Sequence, residues 1–183
     1  LINQGTALDL RDKGGRTALA WAAYNGDKDC AELLIKAGAD PNVKDNDQRT
    51  ALIWAARNGK TDIINLLIEG GADLNVRDFS GSTALINAIR LNNTGAAQLL
   101  IENGANLNVE DSKGCSALLI AVYNRKTETS KLLINNGAKL NIKDEYGRTA
   151  LVYAALFNLP DIAELLVEKG AELNIVDVDG RTP

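Results

Sequence analysis

Six aspartates recur at an unbroken spacing of 33 residues: Asp12, Asp45, Asp78, Asp111, Asp144 and Asp177. Carboxylates are recruited in pairs for acid–base work and in clusters for hard cations. Either chemistry needs several of them to converge in one cleft. A spacing this regular instead hands one carboxylate to each copy of a repeated unit, where it accepts hydrogen bonds from its own turn. The asparagines Asn42, Asn75, Asn108, Asn141 and Asn174 recur in the same register and read as braces of the same loops. Histidine is absent, which removes the commonest metal ligand and the usual general base. Of the two cysteines, Cys30 falls on a helix and reads as core, while Cys115 falls in a loop as a partly exposed thiol. No phosphate-cradling glycine loop or zinc-ligand spacing is present. The sequence therefore predicts no catalytic residue, no metal site and no cofactor.

The elements that carry these residues follow from the repeat itself. TALAWAA begins at Thr17, TALIWAA at Thr50, TALINAI at Thr83, SALLIAV at Ser116 and TALVYAA at Thr149, and Thr182-Pro183 opens a further copy. LLIKAGADPNV, LLIEGGADLNV, LLIENGANLNV, LLINNGAKLNI and LLVEKGAELNI follow in step. Each copy reads as a helix capped by its Thr or Ser, a short turn, a second helix and a hairpin loop. Ala22, Ala23, Ala55 and Ala56 suit close helix approach, and Ile63, Leu66 and Leu67 form the apolar stripe of a second helix. Gly38, Gly71, Gly104, Gly137 and Gly170 end those helices in the left-handed conformation. Pro160 opens one, where its missing N–H is harmless. A single copy cannot bury its apolar face alone, but stacked copies can.

This period, with the pattern D-x-x-G-x-T-x-L…A-A…G…LL…GA-x-x-N, resembles the ankyrin repeat over the whole chain. The resemblance implies an all-α solenoid of helix-turn-helix units with β-hairpin loops. Residues 1–183 read as one domain: a partial repeat 1–11, full repeats 12–44, 45–77, 78–110, 111–143 and 144–176, and a partial repeat 177–183. In the opening copy, Ile2 matches Ile35 and Gly5 matches Gly38. The family's T-P-L-H is here T-A-L with an aliphatic residue next. The hairpin glycine becomes Gln48 in the second repeat, and the inter-helix glycine becomes Asn92, Arg125 and Asn158. Asparagine tolerates positive φ and arginine does not, so a distorted or strained turn is expected at Arg125.

Resemblance to this family also implies binding by the hairpin tips and the exposed side of the first helix, along a concave face. Those positions hold Lys13, Arg16, Tyr24, Arg49, Arg57, Phe79, Arg90, Lys113, Tyr123, Tyr146, Arg148 and Phe157, which form the candidate partner-binding set. They include five of the six tyrosines and phenylalanines in the chain, and aromatics with arginines are the usual interface anchors. Across all the variable positions of this kind, positive charges outnumber negative ones, although the chain as a whole carries −4. An extended or helical protein segment of acidic character is the expected partner. Trp21 and Trp54 fall inside the first helices and read as packing between helices. Asn87 shares their place, where a buried amide needs partners that the sequence does not name.

Composition bounds the alternatives. Apolar content of 45% and charged content of 24% describe a folded chain. No apolar run is long enough to span a bilayer, and two cysteines without a disulfide framework suit a reducing, cytoplasmic location. Net negative charge without clustered Lys and Arg speaks against nucleic acid. The leading reading is a non-enzymatic protein–protein interaction module, monomeric and part of a longer chain. The alternatives are a structural spacer or elastic segment of a longer array and, through the family resemblance alone, hydroxylation of the hairpin asparagines.

Overall fold

The computed structural model describes residues 8–178 and 180; the expectations for Ile2, Gly5 and Thr182-Pro183 lie outside them. Among the described residues ten helices alternate in two kinds. The first helices are α1 (Ala18–Asn25), α3 (Ala51–Arg57), α5 (Ala84–Arg90), α7 (Ala117–Tyr123) and α9 (Ala150–Leu156). Each starts where Thr17, Thr50, Thr83, Ser116 or Thr149 accepts the N–H three residues on. That bond satisfies one of the donors a helix start leaves open, and it explains the recurring hydroxyl. The second helices are α2 (Lys28–Lys36), α4 (Thr61–Glu69), α6 (Thr94–Glu102), α8 (Thr127–Asn135) and α10 (Pro160–Glu168). Only α2 has a side-chain cap, from Asp27 to the Cys30 N–H at 3.0 Å. Gly38, Gly71, Gly104, Gly137 and Gly170 follow with φ between 81° and 93°.

The chain divides into two compact units, Leu1–Gly104 and Ala105–Pro183. In the first, α1, α3 and α5 lie side by side as one layer and α2, α4 and α6 as the other. Ala23, Ala55, Ala56 and Ala88 are fully buried between neighbours, and Leu52, Ile63, Ile64, Leu67 and Leu85 fill the space between layers. Ile64 takes the inner position that the sequence pattern suggested for Leu66, which is only half-buried. In the second unit α7 packs on α9 and α8 on α10, around Leu118, Leu119, Leu133, Ile162 and Leu166.

The loops are turns: no strand is formed among the described residues. In five of the loops the aspartate N–H donates to the carbonyl four residues on, as Asp12 does to Arg16 at 2.9 Å and Asp144 to Arg148 at 3.1 Å. Single backbone bonds tie one loop to the next, Asn46 N–H to Gly14 O and Phe79 N–H to Asp47 O in the first unit. In the second unit Glu145 N–H donates to Lys113 O and Val178 N–H to Tyr146 O. One bond per loop pair is too little for a ladder, so the expected β-hairpins are turn-built.

Three of the hairpin asparagines reach into the next copy. Asn42 accepts the Asp73 N–H at 2.8 Å and donates to Gly71 O at 3.1 Å. Asn108 accepts the Lys139 N–H at 2.7 Å, and Asn141 accepts the Glu172 N–H at 3.0 Å. Cys30 corrects its expected burial: it is exposed. Its counterparts Ile63 and Ala96 are buried, each on a helix with another second helix packed before it. Among the described residues α2 has none before it.

Candidate protein-binding surface

Each site is built on the hairpin aspartate. One carboxylate oxygen accepts two backbone N–H groups of the turn: Asp12 from Gly14 and Arg16, Asp45 from Asp47 and Arg49, Asp144 from Tyr146 and Arg148. The other oxygen accepts from the side chain nine residues on. Trp21 Nε1 donates to Asp12 at 3.0 Å, Trp54 Nε1 to Asp45 at 2.9 Å, Asn87 Nδ2 to Asp78 at 3.0 Å and Tyr153 Oη to Asp144 at 2.5 Å. The carboxylates thus serve their own units. Asn87, whose partners the sequence did not name, donates also to Thr83 O and accepts from Arg57 Nη1 at 2.6 Å.

In the first unit these bonds stand the indoles up along the first-helix layer. Tyr24 meets Trp21 and Trp54 edge-on, with ring centres 5.7 and 5.4 Å apart. Arg16 lies over Trp21 at 4.1 Å, and Arg49 and Arg57 approach Trp54 at 4.9 and 5.8 Å. Such contacts hold guanidinium groups in place without neutralising them. Trp21 is 37% exposed and Tyr24 40%. The tryptophans therefore lie at the surface as well as between helices, more outward than the sequence reading put them. Asp12 and Asp47 pair with Arg16 and Arg49 at 3.6 and 2.9 Å, which tempers the positive field. The Arg16 N–H, foremost, with Trp21 and the Gly14 N–H, holds the Asp12 carboxyl below its usual range.

Around Asp78 the network runs inward. Burial is the largest influence on its carboxyl and would raise it, yet the donors Asn87, Ser80 and the Ser82 and Ser80 N–H groups prevail and lower it. Burial, then the neighbouring Arg49, lowers the Arg57 guanidinium. Arg90 donates to Ser82 Oγ at 2.6 Å. Phe79, 72% exposed, and exposed Lys13 join neither cluster.

The second unit carries a different cluster. Tyr123 meets Tyr153 and Phe157 edge-on at 5.2 and 5.7 Å, and Tyr153 stacks on Phe157. Arg125 covers Phe157 at 4.8 Å and Arg148 covers Tyr146 at 5.2 Å. Burial, then the bond to Asp144, pushes the Tyr153 hydroxyl up to about 12. Lys113 stands apart and exposed. Arg125 adopts the same left-handed turn as the glycines it replaces, with φ 55°. The turn is kept and the strain is borne by one residue. Sequence reasoning missed Trp21, Trp54, Tyr153 and Arg125 as surface-shaping residues; the nine-residue offset from each aspartate was the signal that could have found the first three.

Helix pairs stacked through turn loops, with aromatic and cationic side chains gathered on the first-helix side, define an α-helical repeat protein. The family model for ankyrin repeats in three copies matches residues 37–111 and 85–177, and the single ankyrin repeat model matches residues 14–46. The chain belongs to the ankyrin repeat family, a family of protein–protein interaction modules that are generally non-enzymatic. The crystal structure of the ankyrin repeat domain of Bcl-3, described as a unique member of the IkappaB protein family, superposes with a TM-score of 0.88 at 30% identity. That match covers 96% of this chain and 79% of the other. Ankyrin repeat domain-containing protein 63 of Homo sapiens is 46% identical over 41 residues, 22% of this chain and 11% of that protein. Calmodulin-binding transcription activator 5 of Arabidopsis thaliana is 56% identical over 36 residues, 20% of this chain and 4% of that protein. The matched segments thus span about a tenth or less of these curated relatives. No described helix is long and apolar enough to cross a membrane.

Proposed function

We propose that this chain is a non-enzymatic binding module that holds an extended or helical protein segment of acidic character against the first-helix and hairpin side of its repeats. It acts as a single repeat domain and a monomer, in the cytoplasm, where its two free cysteines stay reduced. The contact residues are Lys13, Arg16, Tyr24, Arg49, Arg57, Phe79, Arg90, Lys113, Tyr123, Tyr146, Arg148 and Phe157. The observation that carries the reading is the set of partly exposed aromatic rings overlaid by arginines in each unit, Tyr24 beside Trp54 and Tyr123 beside Phe157. Rings supply apolar area at little entropic cost, and fixed guanidinium groups supply directed donors for carboxylates.

The test is capture of partners on the intact chain, identified by mass spectrometry, followed by two variants. Replacing Arg57 and Arg90 with Gln weakens capture and flattens its salt dependence. The melting temperature falls by about 4–8 °C, since Asn87 and Ser82 each lose a charged donor worth about 1 kcal/mol. Replacing Glu32, Glu69 and Glu102 on the second helices leaves capture unchanged. If only the glutamate set matters, the partner sits on the other layer; if nothing is captured, a spacer role is favoured instead.

A further inference from the structure

Across α1, α3 and α5 of the first unit lies an open cleft of about 410 Å³, walled by Trp21, Tyr24, Trp54 and Leu91 and edged by Arg16 and Arg57. Its two cations differ. Arg16 faces Asp12 at 3.6 Å and stacks on Trp21. Arg57 has an amide acceptor, Asn87, and the face of Trp54, and forms no ion pair with a carboxylate among the described residues. Asn87 accepts one of its Nη donors, which leaves the other N–H groups of the fork for a ligand. Asn87, beneath Arg57, also departs from the earlier copies. The two preceding copies place an indole in this position, and the third places a short amide that folds down onto Asp78.

We propose that this cleft is a carboxylate pocket: it receives a Glu or Asp side chain of a peptide on Arg57, with a neighbouring apolar side chain of the same peptide laid between Tyr24, Trp54 and Leu91. The fork matches a carboxylate in bidentate fashion, and the aromatic walls shield one side of the pair from water. A single carboxylate suits the site better than a polyanion, because Asp12, Asp45 and Asp47 lie on the adjoining loops and repel further negative charge. The inference rests on the binding-module reading and names the chemistry its partner must show.

Trp21 and Trp54 are the two tryptophans of the chain and both line the cleft, so their indole N–H signals report on it directly. The experiment titrates the ¹⁵N-labelled full chain with an acetylated, amidated peptide bearing a Leu-Glu-Phe core in Gly-Ser flanks. Twins carry Gln or Lys in place of Glu. The expected result is movement of both indole signals, with the Glu peptide binding about fivefold or more tighter than the Gln twin. Arg57→Gln erases that preference. Leu91→Asp, at an exposed rim position, weakens the Glu peptide about tenfold while the fold is retained. Equal binding of the Glu and Gln peptides, an undiminished preference in Arg57→Gln, or the same shifts from inorganic phosphate at equal concentration overturns the proposal. A captured partner indifferent to Arg57→Gln also overturns it, while leaving the binding-module reading intact. Peptide binding in a chain that captures no protein supports the pocket and counts against that reading.

Discussion

In the first unit the position nine residues after the hairpin aspartate holds Trp21, Trp54 and Asn87, and all three donate to that aspartate. In the second unit Tyr153 donates and Ile120, buried at 6% exposure, has nothing to donate. Asp111 still accepts the Lys113 and Cys115 N–H groups, so the turn closes without a bond from the ninth residue. The turn therefore depends on the aspartate and its backbone partners, while the ninth residue is free to set what the surface offers. An indole supplies a platform, a phenol a stacking edge, an amide an acceptor for Arg57, an isoleucine only core. Two units with one backbone plan thereby acquire unlike faces, one rich in tryptophan and arginine and one in tyrosine and phenylalanine.

The sharpest way to break this comparison is to exchange the residues. Asn87→Ile puts the fourth repeat's side chain into the third. Asn87 is 2% exposed and serves Asp78, Thr83 and Arg57 together. The exchange leaves a buried carboxylate short of a donor and an arginine short of an acceptor, so a loss of about 2 kcal/mol is expected in urea unfolding. Asp78 adds a pH signature. Its carboxyl is lowered in the folded chain, so its stabilisation is present above the ordinary carboxylate range and is lost as pH falls through the folded value. In Asn87→Ile the folded carboxyl moves back toward its unfolded value, so the acid-dependent loss is smaller and is complete at higher pH. An unchanged stability would mean that the network is incidental and that Ile120 and Asn87 are equivalent fillers.

Tyr153 tests the second unit with a smaller effect. Tyr153→Phe removes one charge-assisted bond from a half-exposed carboxylate, and a cost of about 1 kcal/mol is expected. Its hydroxyl is raised from the ordinary 10 to about 12 in the fold. The neutral form is thus the one the fold favours, so the stabilisation is full below pH 10 and is lost as pH rises through about 12. Absorbance titration of the four tyrosines should show one ionising late, and Tyr153→Phe should remove that step.

The helices, their caps and their stop signals were legible because each rests on bonds within one copy: Thr17 reaching Ala20, or Gly38 taking the left-handed turn. The 33-residue register carried these directly. Contacts between copies were less legible. Asn42 reaching Gly71 and Asp73 joins residues about 30 apart, and nothing local marks it as a brace between loops. Cys30 misled for the same reason, since its burial depends on what stacks before it. Asn87 was unreadable while its partner, Asp78, counted only as a turn residue. Among the candidate contact residues, Arg16, Tyr24, Arg49 and Arg57 gather around tryptophans whose place in the first helices suggests packing alone. Phe79, Lys13 and Lys113 remain separate.

The smallest effects concern the two long side chains forced into left-handed turns, one in each unit. Gln48 has φ 61° where the other described loops have glycine, and Arg125 has φ 55° where earlier repeats have Gly26 and Gly59. A side chain in that region costs about 1–2 kcal/mol, while glycine gives back about 0.5–1 kcal/mol in chain entropy. Gln48→Gly should therefore raise stability by about 0.5–1 kcal/mol. Arg125→Gly relieves the same strain but also removes the guanidinium lying 4.8 Å over Phe157. That contact is worth about 0.5–1 kcal/mol at an exposed site, so the net change should lie near zero. Arg125→Asn separates the two contributions, because asparagine keeps the tolerated turn and loses the ring contact. If Arg125→Gly stabilises as much as Gln48→Gly, the arginine–phenylalanine contact contributes nothing. Strain at Arg125 would then be uncompensated within the fold, and the second unit's cluster would owe its arrangement to Tyr153 and Asp144 alone.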